Sequence, residues 1–126
     1  MRVLVVDNER DTADSLAMLL KLTRCEVRVA YDAETGLAVA KEFLPNLLLS
    51  DVGLPGIDGN ELARRVRGCR ELDRTVLAAV TGYADPANRE LSLQAGFDEY
   101  LVKPVAYENL CRLLARVADK FATDPA

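Results

Sequence analysis

The stretch LLLSD at residues 47–51 decides the fold, because it is a short apolar run that stops at a carboxylate. Three consecutive leucines place apolar side chains on both faces of a strand, which is typical of a parallel sheet covered by helices on both sides. Four comparable runs lie at residues 3–6, 26–30, 76–80 and 100–102. The sequence therefore predicts five short strands, the third of which ends at Ser50, just before Asp51.

Segments with a helical period of apolar residues separate and follow these runs. Their apolar positions are Ala13, Leu16, Ala17 and Leu20; Ala33, Leu37, Ala40 and Leu44; Leu62, Val66 and Cys69; Ala87, Leu91 and Ala95; and Leu110, Leu113, Leu114, Val117 and Phe121. Asp58 and Glu61 have the spacing of a capping box, and Asp85 followed by Pro86 is typical of a helix start. Strands that alternate with helices predict an α/β fold: a single doubly wound sheet of five parallel strands flanked by five helices.

Length and composition bound the class of protein. The 126 residues, 50% hydrophobic and 29% charged, suit one globular domain, which we place at residues 1–121 with a C-terminal tail at 122–126. No apolar run is long enough to cross a membrane and no signal-peptide pattern follows Met1, so we expect a cytoplasmic protein. A net charge of −4 disfavours nucleic-acid binding. The sequence contains no histidine, which excludes a Ser-His-Asp triad, and its three separated cysteines predict free thiols.

Polar residues stand where the predicted strands end. Asp7, Asn8 and Glu9 follow the first strand, Asp51 the third, Thr81 the fourth and Lys103 the fifth. Right-handed crossovers bring the carboxyl ends of parallel strands to one edge of the sheet, so these side chains should meet there. Oxygen ligands suit Mg²⁺, whereas lysine and threonine donors suit an anion. The pattern predicts a site where a carboxylate, best Asp51, accepts a phosphoryl group.

Four motifs, in this order, resemble the signatures of the response-regulator receiver domain of two-component signalling. They are VLVVDNE at 3–9, LLLSDVGLPGIDG at 47–59, AAVTGY at 78–83 and EYLVKP at 99–104, and together they cover essentially the whole chain. The resemblance implies a flavodoxin-like sheet with strand order 2-1-3-4-5. DSLAMLL at 14–20, with GLPGIDG at 53–59 and TGYADP at 81–86, is most similar to receivers attached to hybrid histidine kinases.

The resemblance also implies roles for single residues. Asp51 would be the phosphoacceptor; Asp7, Asn8, Asp51 and the Gly53 backbone carbonyl would hold Mg²⁺ or Mn²⁺; Thr81, Lys103 and Tyr100 would bind the phosphoryl group or respond to it. Pro55 and Gly59 would shape the loop after the phosphoacceptor, and the Lys103–Pro104 peptide would be cis. The implied activity is magnesium-dependent transfer from a phosphohistidine of a histidine kinase or histidine phosphotransfer domain. The protein would catalyse its own phosphorylation and hydrolysis and would not be a metabolic enzyme.

Asn8 departs from the family pattern, in which two acids follow the first strand. An amide oxygen can coordinate a cation but brings no charge, so we expect weaker Mg²⁺ binding. Glu9 is either a substitute ligand or a solvated carboxylate in the first turn of a helix. A pseudo-receiver that acts only as a phosphorylation-independent docking module therefore stays open as the alternative.

Two other classes of protein with this architecture are disfavoured. A hydrolase that works through an aspartyl phosphate needs an acid two residues after the nucleophile, where Gly53 stands. An FMN carrier needs a phosphate-binding loop after the first strand, and Asp7, Asn8 and Glu9 do not supply one.

Met18 and Leu22 fall off the apolar stripe of the first helix, so both should be exposed. An adaptable apolar surface beside the acidic site suits a partner helix, and in the family the first helix docks against kinase or phosphotransfer helices. The fourth helix has only a thin predicted apolar face and should be the switchable element. Family members pair through the fourth and fifth helices, so a homodimer through the α4-β5-α5 face is a further expectation. The sequence leaves open whether the chain is a single-domain regulator or a receiver from a hybrid kinase.

Overall fold

The computed structural model describes residues 1–54, 56–82 and 86–122. Five strands alternate with five helices, as the sequence predicts. In chain order these elements are β1 Arg2–Val6, α1 Arg10–Leu22, β2 Glu26–Ala30, α2 Ala33–Phe43, β3 Leu47–Asp51, α3 Gly59–Arg67, a short 3₁₀ helix Arg70–Leu72, β4 Val76–Thr81, α4 Pro86–Ala95, β5 Glu99–Val102 and α5 Tyr107–Ala122. The strands form one parallel sheet in the order β2-β1-β3-β4-β5, which confirms the doubly wound, flavodoxin-like fold.

The sheet has a buried apolar layer on each face because successive strand side chains point to opposite sides. Leu48 and Leu77 pack with α2 and α3 on one face, whereas Leu47 and Leu49 pack with α1 and α5 on the other. All four leucines are at most 1% exposed. This double burial explains why β3 is a continuous apolar run. At the amino end of the sheet Leu47 pairs with Val76 of β4.

Helix ends follow local hydrogen-bonding signals. The Asp58 carboxylate accepts a hydrogen bond from the Glu61 backbone N–H at 2.8 Å, which confirms the predicted start of α3. Asp32 caps α2 in the same way by accepting from the Thr35 N–H at 2.7 Å. The predicted cap Asp85 and the loop residue Pro55 lie outside the described residues, as do residues 123–126 of the predicted tail. Ala122, the first residue of that predicted tail, is instead the last residue of α5.

Leu44 is a correction to the predicted apolar stripe of α2. The helix ends at Phe43, and Leu44 follows it in the left-handed region with φ 52° and 42% exposure. Pro45 comes next, and a residue before proline is disfavoured in the helical region. Phe43 is buried in place of Leu44.

The predicted apolar face of α4 is correct at Ala95, which is buried, and wrong at Ala87 and Leu91, which are exposed. Ser92 is buried in their place. Two small buried side chains anchor α4 in the described region, so this helix is held weakly. The prediction of a small buried contact for α4 is therefore confirmed, although the buried face is rotated.

Arg67, near the end of α3, joins three segments at the amino ends of β4 and β5. Its guanidinium donates to the Gly96 carbonyl at 3.0 Å and to the Thr75 carbonyl at 2.9 Å, and it also pairs with the Asp98 carboxylate. Gly96 has φ 120°, and a Cβ there would press on Arg67 Cγ at 2.7 Å. The turn between α4 and β5 is therefore fixed by one arginine side chain against one glycine.

Candidate functional site

Two carboxylates stand at the carboxyl ends of neighbouring strands. Asp7 directly follows β1, where its backbone N–H continues the ladder by donating to the Ala30 carbonyl at 3.1 Å. Asp51 is the last residue of β3 and is paired with Val80 of β4. Because β1 and β3 are adjacent parallel strands, both side chains emerge at the same edge of the sheet, as the sequence predicts.

Lys103 reaches this edge from the end of β5. Its backbone N–H donates to the Thr81 carbonyl at 2.8 Å, and the Lys103–Pro104 peptide is cis, as expected. The Nζ atom donates to Asp7 Oδ2 at 2.8 Å and to Asp51 Oδ2 at 3.3 Å. One ammonium group thus bridges the two carboxylates. Asp7, Asp51 and Lys103 therefore lie together, as the sequence predicts.

Electrostatics keep this lysine charged. Burial alone lowers the pKa of Lys103, but the hydrogen bond that Lys103 donates to Asp7 and the charges of Asp51 and Asp7 outweigh burial and raise that pKa above its ordinary value. The lysine side chain is 20% exposed, against 6% for Asp7 and 12% for Asp51. The cation is therefore fixed and largely shielded beside the two negative groups.

The second oxygen of each carboxylate is held by the backbone. Asp7 Oδ1 accepts from the Glu9 N–H at 2.9 Å, and Asp51 Oδ1 accepts from the Gly53 N–H at 3.1 Å. Gly59 fixes the loop behind Asp51, because a Cβ at this position would overlap the Asp51 carbonyl oxygen. A glycine at the start of α3 therefore allows the loop to pack against the Asp51 backbone, which agrees with the loop-shaping role predicted for Gly59.

An open cavity of about 490 Å³ lies over these groups. It is lined by Asn8, Glu9, Asp51, Gly53, Gly82 and Lys103. Asp51 offers a carboxylate, Asn8 an amide oxygen and Gly53 a backbone carbonyl, which is the oxygen chemistry that a hard divalent cation prefers. The donor set therefore fits Mg²⁺.

The donor set holds less negative charge than a site with two acids after the first strand. Within residues 1–54, 56–82 and 86–122, no three or more His, Cys, Asp or Glu side chains cluster as a metal site. Asn8 lines the cavity beside Asp51 and contributes an amide, which adds no negative charge.

Thr81 and Tyr100 lie beside a second cavity of about 330 Å³, which shares Gly53 with the first. Thr81 is 2% exposed at the end of β4, and Tyr100 in β5 is half-buried against the core under α2, α3 and α4. Asn88 and Ser92 of α4 also line this second cavity. Sequence reasoning missed Ser92, because a hydroxyl residue carries no signal in an apolar periodicity.

Met18 and Leu22 are 68% and 75% exposed, which confirms that they lie off the buried stripe of α1. A further cavity of about 490 Å³ lies between α1 and the segment after β5. Leu16, Leu19, Pro104 and Val105 line it, and Lys103 connects it to the acidic site. An apolar lining therefore adjoins the acidic site, but Met18 and Leu22 are not part of it.

The sequence pattern described as "Response regulator receiver domain" matches residues 3–115. The chain therefore belongs to the response-regulator receiver domain family, whose members are phosphoacceptor modules of two-component signalling and interact with histidine kinases or phosphotransfer proteins.

Two curated relatives show how the chain compares with other members. It is 39% identical over 124 residues to an uncharacterized 14.6 kDa protein of Leptolyngbya boryana, covering 98% of this chain and 95% of that protein. It is 38% identical over 123 residues to the transcriptional regulatory protein AfsQ1 of Streptomyces coelicolor. That match covers 94% of this chain but 53% of AfsQ1, so the chain spans about half the length of this relative.

Solved structures agree in fold. A CheY-like response regulator receiver domain protein of Methanospirillum hungatei superposes with a TM-score of 0.88 at 32% identity, covering 98% of both chains. The receiver domain of the sensor histidine kinase PA1611 of Pseudomonas aeruginosa superposes with a TM-score of 0.86 at 27% identity, covering 93% of this chain and 97% of that one. That structure holds a magnesium ion in its active-site cleft. Among the described residues, none of the helices has the length and apolarity needed to cross a membrane.

Proposed function

We propose that this chain accepts a phosphoryl group on Asp51 from a phosphohistidine of another protein, in a reaction that requires Mg²⁺ or Mn²⁺. The observation that carries this proposal is the bridge from Lys103 Nζ to both Asp7 and Asp51 at the mouth of an open cavity. A fixed ammonium group beside a carboxylate suits an anion that arrives at that carboxylate.

The chemistry is an exchange of one bond to phosphorus for another. A carboxylate oxygen of Asp51 forms a bond to phosphorus as the phosphorus–nitrogen bond of the donor breaks, and the departing imidazole nitrogen takes up a proton. Lys103 lies where it offsets the charge of the transferred oxygens, and the Thr81 hydroxyl supplies a further donor. Asp51, Asn8 and the Gly53 carbonyl would hold the divalent cation, with Asp7 alongside, and the cation supplies charge neutralisation during the transfer.

The consequence of phosphorylation is a shift between two arrangements of the α4-β5-α5 face. Movement of Thr81 towards the phosphoryl oxygens would bias Tyr100 and the weakly anchored α4, which together wall the second cavity. Such a bias changes populations and leaves the fold intact. The same face, with exposed Leu91, Val102 and Tyr107, is the surface through which we propose that a homodimer forms.

The partner is proposed to be a histidine kinase or a histidine phosphotransfer domain that docks on α1. Exposed Met18 and Leu22, together with the cavity that Leu16 and Leu19 of the same helix line, offer apolar contacts for a partner helix, and Lys103 connects that cavity to the phosphoacceptor. In the same proposal residues 1–121 are the signalling unit, which acts in the cytoplasm, binds no nucleic acid and is no metabolic enzyme.

Mass spectrometry tests the phosphoacceptor. The protein is treated with acetyl phosphate and Mg²⁺ and should gain the mass of one phosphoryl group. Asp51→Asn should abolish the gain, and Asp73→Asn, a change of the same kind at an exposed aspartate far from the site, should retain it. A gain that survives in Asp51→Asn would place the phosphoryl group elsewhere.

Asn8 favours one second candidate, a pseudo-receiver that docks partners without being phosphorylated. With one carboxylate fewer, the site attracts a cation less strongly. No mass gain in the wild-type protein, even at high Mg²⁺, would favour this function over the first.

A further inference from the structure

Ser92 carries an unusual side chain for the buried face of a helix. It is 1% exposed, and its Oγ has no hydrogen-bond partner among the described residues. A serine inside a helix ordinarily points to solvent or donates to the carbonyl four residues before it. Ser92 does neither, so its hydroxyl is buried and unpaired in this arrangement of the protein.

The surroundings of Ser92 show what could pair with it. It lines the cavity of about 330 Å³ that Thr81, Asn88 and Tyr100 also line. A cavity of this size, at the lower end of the range for ligand pockets, accommodates an aromatic side chain. Tyr100 brings a hydroxyl that donates and accepts, and it is half-buried at this wall rather than fixed in the deep core.

An unpaired buried hydroxyl disfavours the arrangement that contains it. Any second arrangement that supplies a partner is favoured by the relief of that cost and by the new hydrogen bond. The Ser92 hydroxyl lies on α4 at the cavity that Thr81 and Tyr100 also line. It is therefore placed to bias the equilibrium between two arrangements of the α4-β5-α5 face.

We infer that Ser92 is a positioning residue of the switch, whose hydroxyl hydrogen-bonds the Tyr100 hydroxyl when Asp51 is phosphorylated. This inference rests on the proposed function of Asp51. Phosphorylation draws Thr81 to the phosphoryl oxygens, the Tyr100 ring enters the cavity, and the Ser92 hydroxyl holds it there. A buried helix position such as 92 is ordinarily occupied by an apolar residue. In this inference the Ser92 hydroxyl sets how strongly phosphorylation shifts the equilibrium of the α4-β5-α5 face.

Beryllofluoride, a mimic of the phosphoryl group, provides the probe. Its affinity at saturating Mg²⁺ is measured by ¹⁹F NMR for the wild type, Ser92→Ala, Tyr100→Phe and the double variant. Ser92→Ala should weaken binding about fivefold, the effect of one hydrogen bond, and Tyr100→Phe should do the same. The double variant should lose no more than either single variant, because both remove one shared bond.

Two further variants separate positioning from stability. Ser92→Thr keeps the hydroxyl and should restore the affinity towards the wild-type value. Thr75→Val removes a buried hydroxyl that is already paired with the Pro45 carbonyl at 2.8 Å, so it should lower the urea midpoint without changing beryllofluoride affinity. In the absence of beryllofluoride, Ser92→Ala should be at least as stable to urea as the wild type, because it loses a buried hydroxyl that has no hydrogen-bond partner among the described residues.

The outcomes distinguish this inference from the proposal beneath it. Wild-type affinity in Ser92→Ala, or losses that multiply in the double variant, would overturn the role of Ser92 while leaving Asp51 as phosphoacceptor. A wild-type protein that neither gains phosphoryl mass nor binds beryllofluoride would overturn both the role of Ser92 and the proposed phosphoacceptor role of Asp51.

Discussion

Lys103 Nζ lies 3.3 Å from Asp51 Oδ2, although 52 positions separate the two residues in the chain. The same nitrogen lies 2.8 Å from Asp7 Oδ2. The lysine therefore occupies the space on the carboxylates that an incoming cation or phosphoryl group would share. Its charge stabilises the two carboxylates and would compete with a metal ion, and these two effects make separate predictions.

Lys103→Met should destabilise the protein in the absence of divalent cations. The side chain of Asp7 is 6% exposed and would lose its cationic partner, which costs about 3 kcal/mol for a buried pair broken on one side. Urea unfolding in a chelating buffer measures this loss. Lys41→Met, on the exposed surface of α2, should change the unfolding free energy by less than about 0.5 kcal/mol.

The same Lys103→Met variant should bind Mg²⁺ at least about tenfold more tightly than the wild type, because the competing positive charge is gone. Its phosphorylation by acetyl phosphate should nevertheless be slower, because the transferred oxygens lose their cation. Calorimetric titration and the rate of mass gain test the two halves. Weaker Mg²⁺ binding in the variant would show that Lys103 orients the metal ligands rather than competing for them.

Asn8→Asp should tighten Mg²⁺ binding by at least about tenfold, because it adds a negative charge to the wall of the cavity. Asn109→Asp makes the same chemical change at an exposed position of α5 that does not line this cavity, and it should leave the affinity within about twofold. Equal affinities in wild type and Asn8→Asp would mean that position 8 does not touch the cation and that its amide does not weaken the site.

Arg67→Ala should destabilise the protein by about 2–3 kcal/mol, because two carbonyl oxygens and the Asp98 carboxylate lose a charged donor. Arg65→Ala removes an exposed arginine from the same helix that forms a surface pair with Glu61, and it should cost less than about 0.5 kcal/mol. Urea unfolding of both variants makes the comparison. A similar loss in each would show that Arg67 contributes no more than an ordinary surface pair.

The sequence predicts the sheet and the acidic edge because both depend on short-range signals. Strands buried on both faces must be apolar throughout, and the residue that follows each strand must lie at the carboxyl edge. The sequence alone therefore predicts that Asp7, Asp51 and Lys103 lie together. Alternation with helices was enough to give parallel strands, and the motifs gave the strand order.

The rotation of α4 and the end of α2 could not be predicted in the same way. The buried face of α4 is chosen by tertiary packing, in which Ala95 joins the core under α2 and α3, and a serine on that face carries no hydrophobic signal. Leu44 matched the apolar period of α2, but Pro45 stopped the helix before it. The Arg67 contacts join residues 29 and 31 positions apart, beyond the reach of any local pattern.

Met18→Ser combined with Leu22→Ser should slow phosphoryl transfer from a phosphorylated histidine phosphotransfer domain that serves the wild-type protein. The reason is that both side chains, 68% and 75% exposed, offer apolar area to a docking helix near the site. We expect a loss of about tenfold or more in transfer rate at low donor concentration, with an unchanged rate from acetyl phosphate. Leu44→Ser, at an exposed leucine beyond the end of α2, is the matched control and should transfer normally. Equal slowing with both donors would mean that the substitutions disturb the phosphoacceptor site itself, and the docking role of α1 would then be rejected.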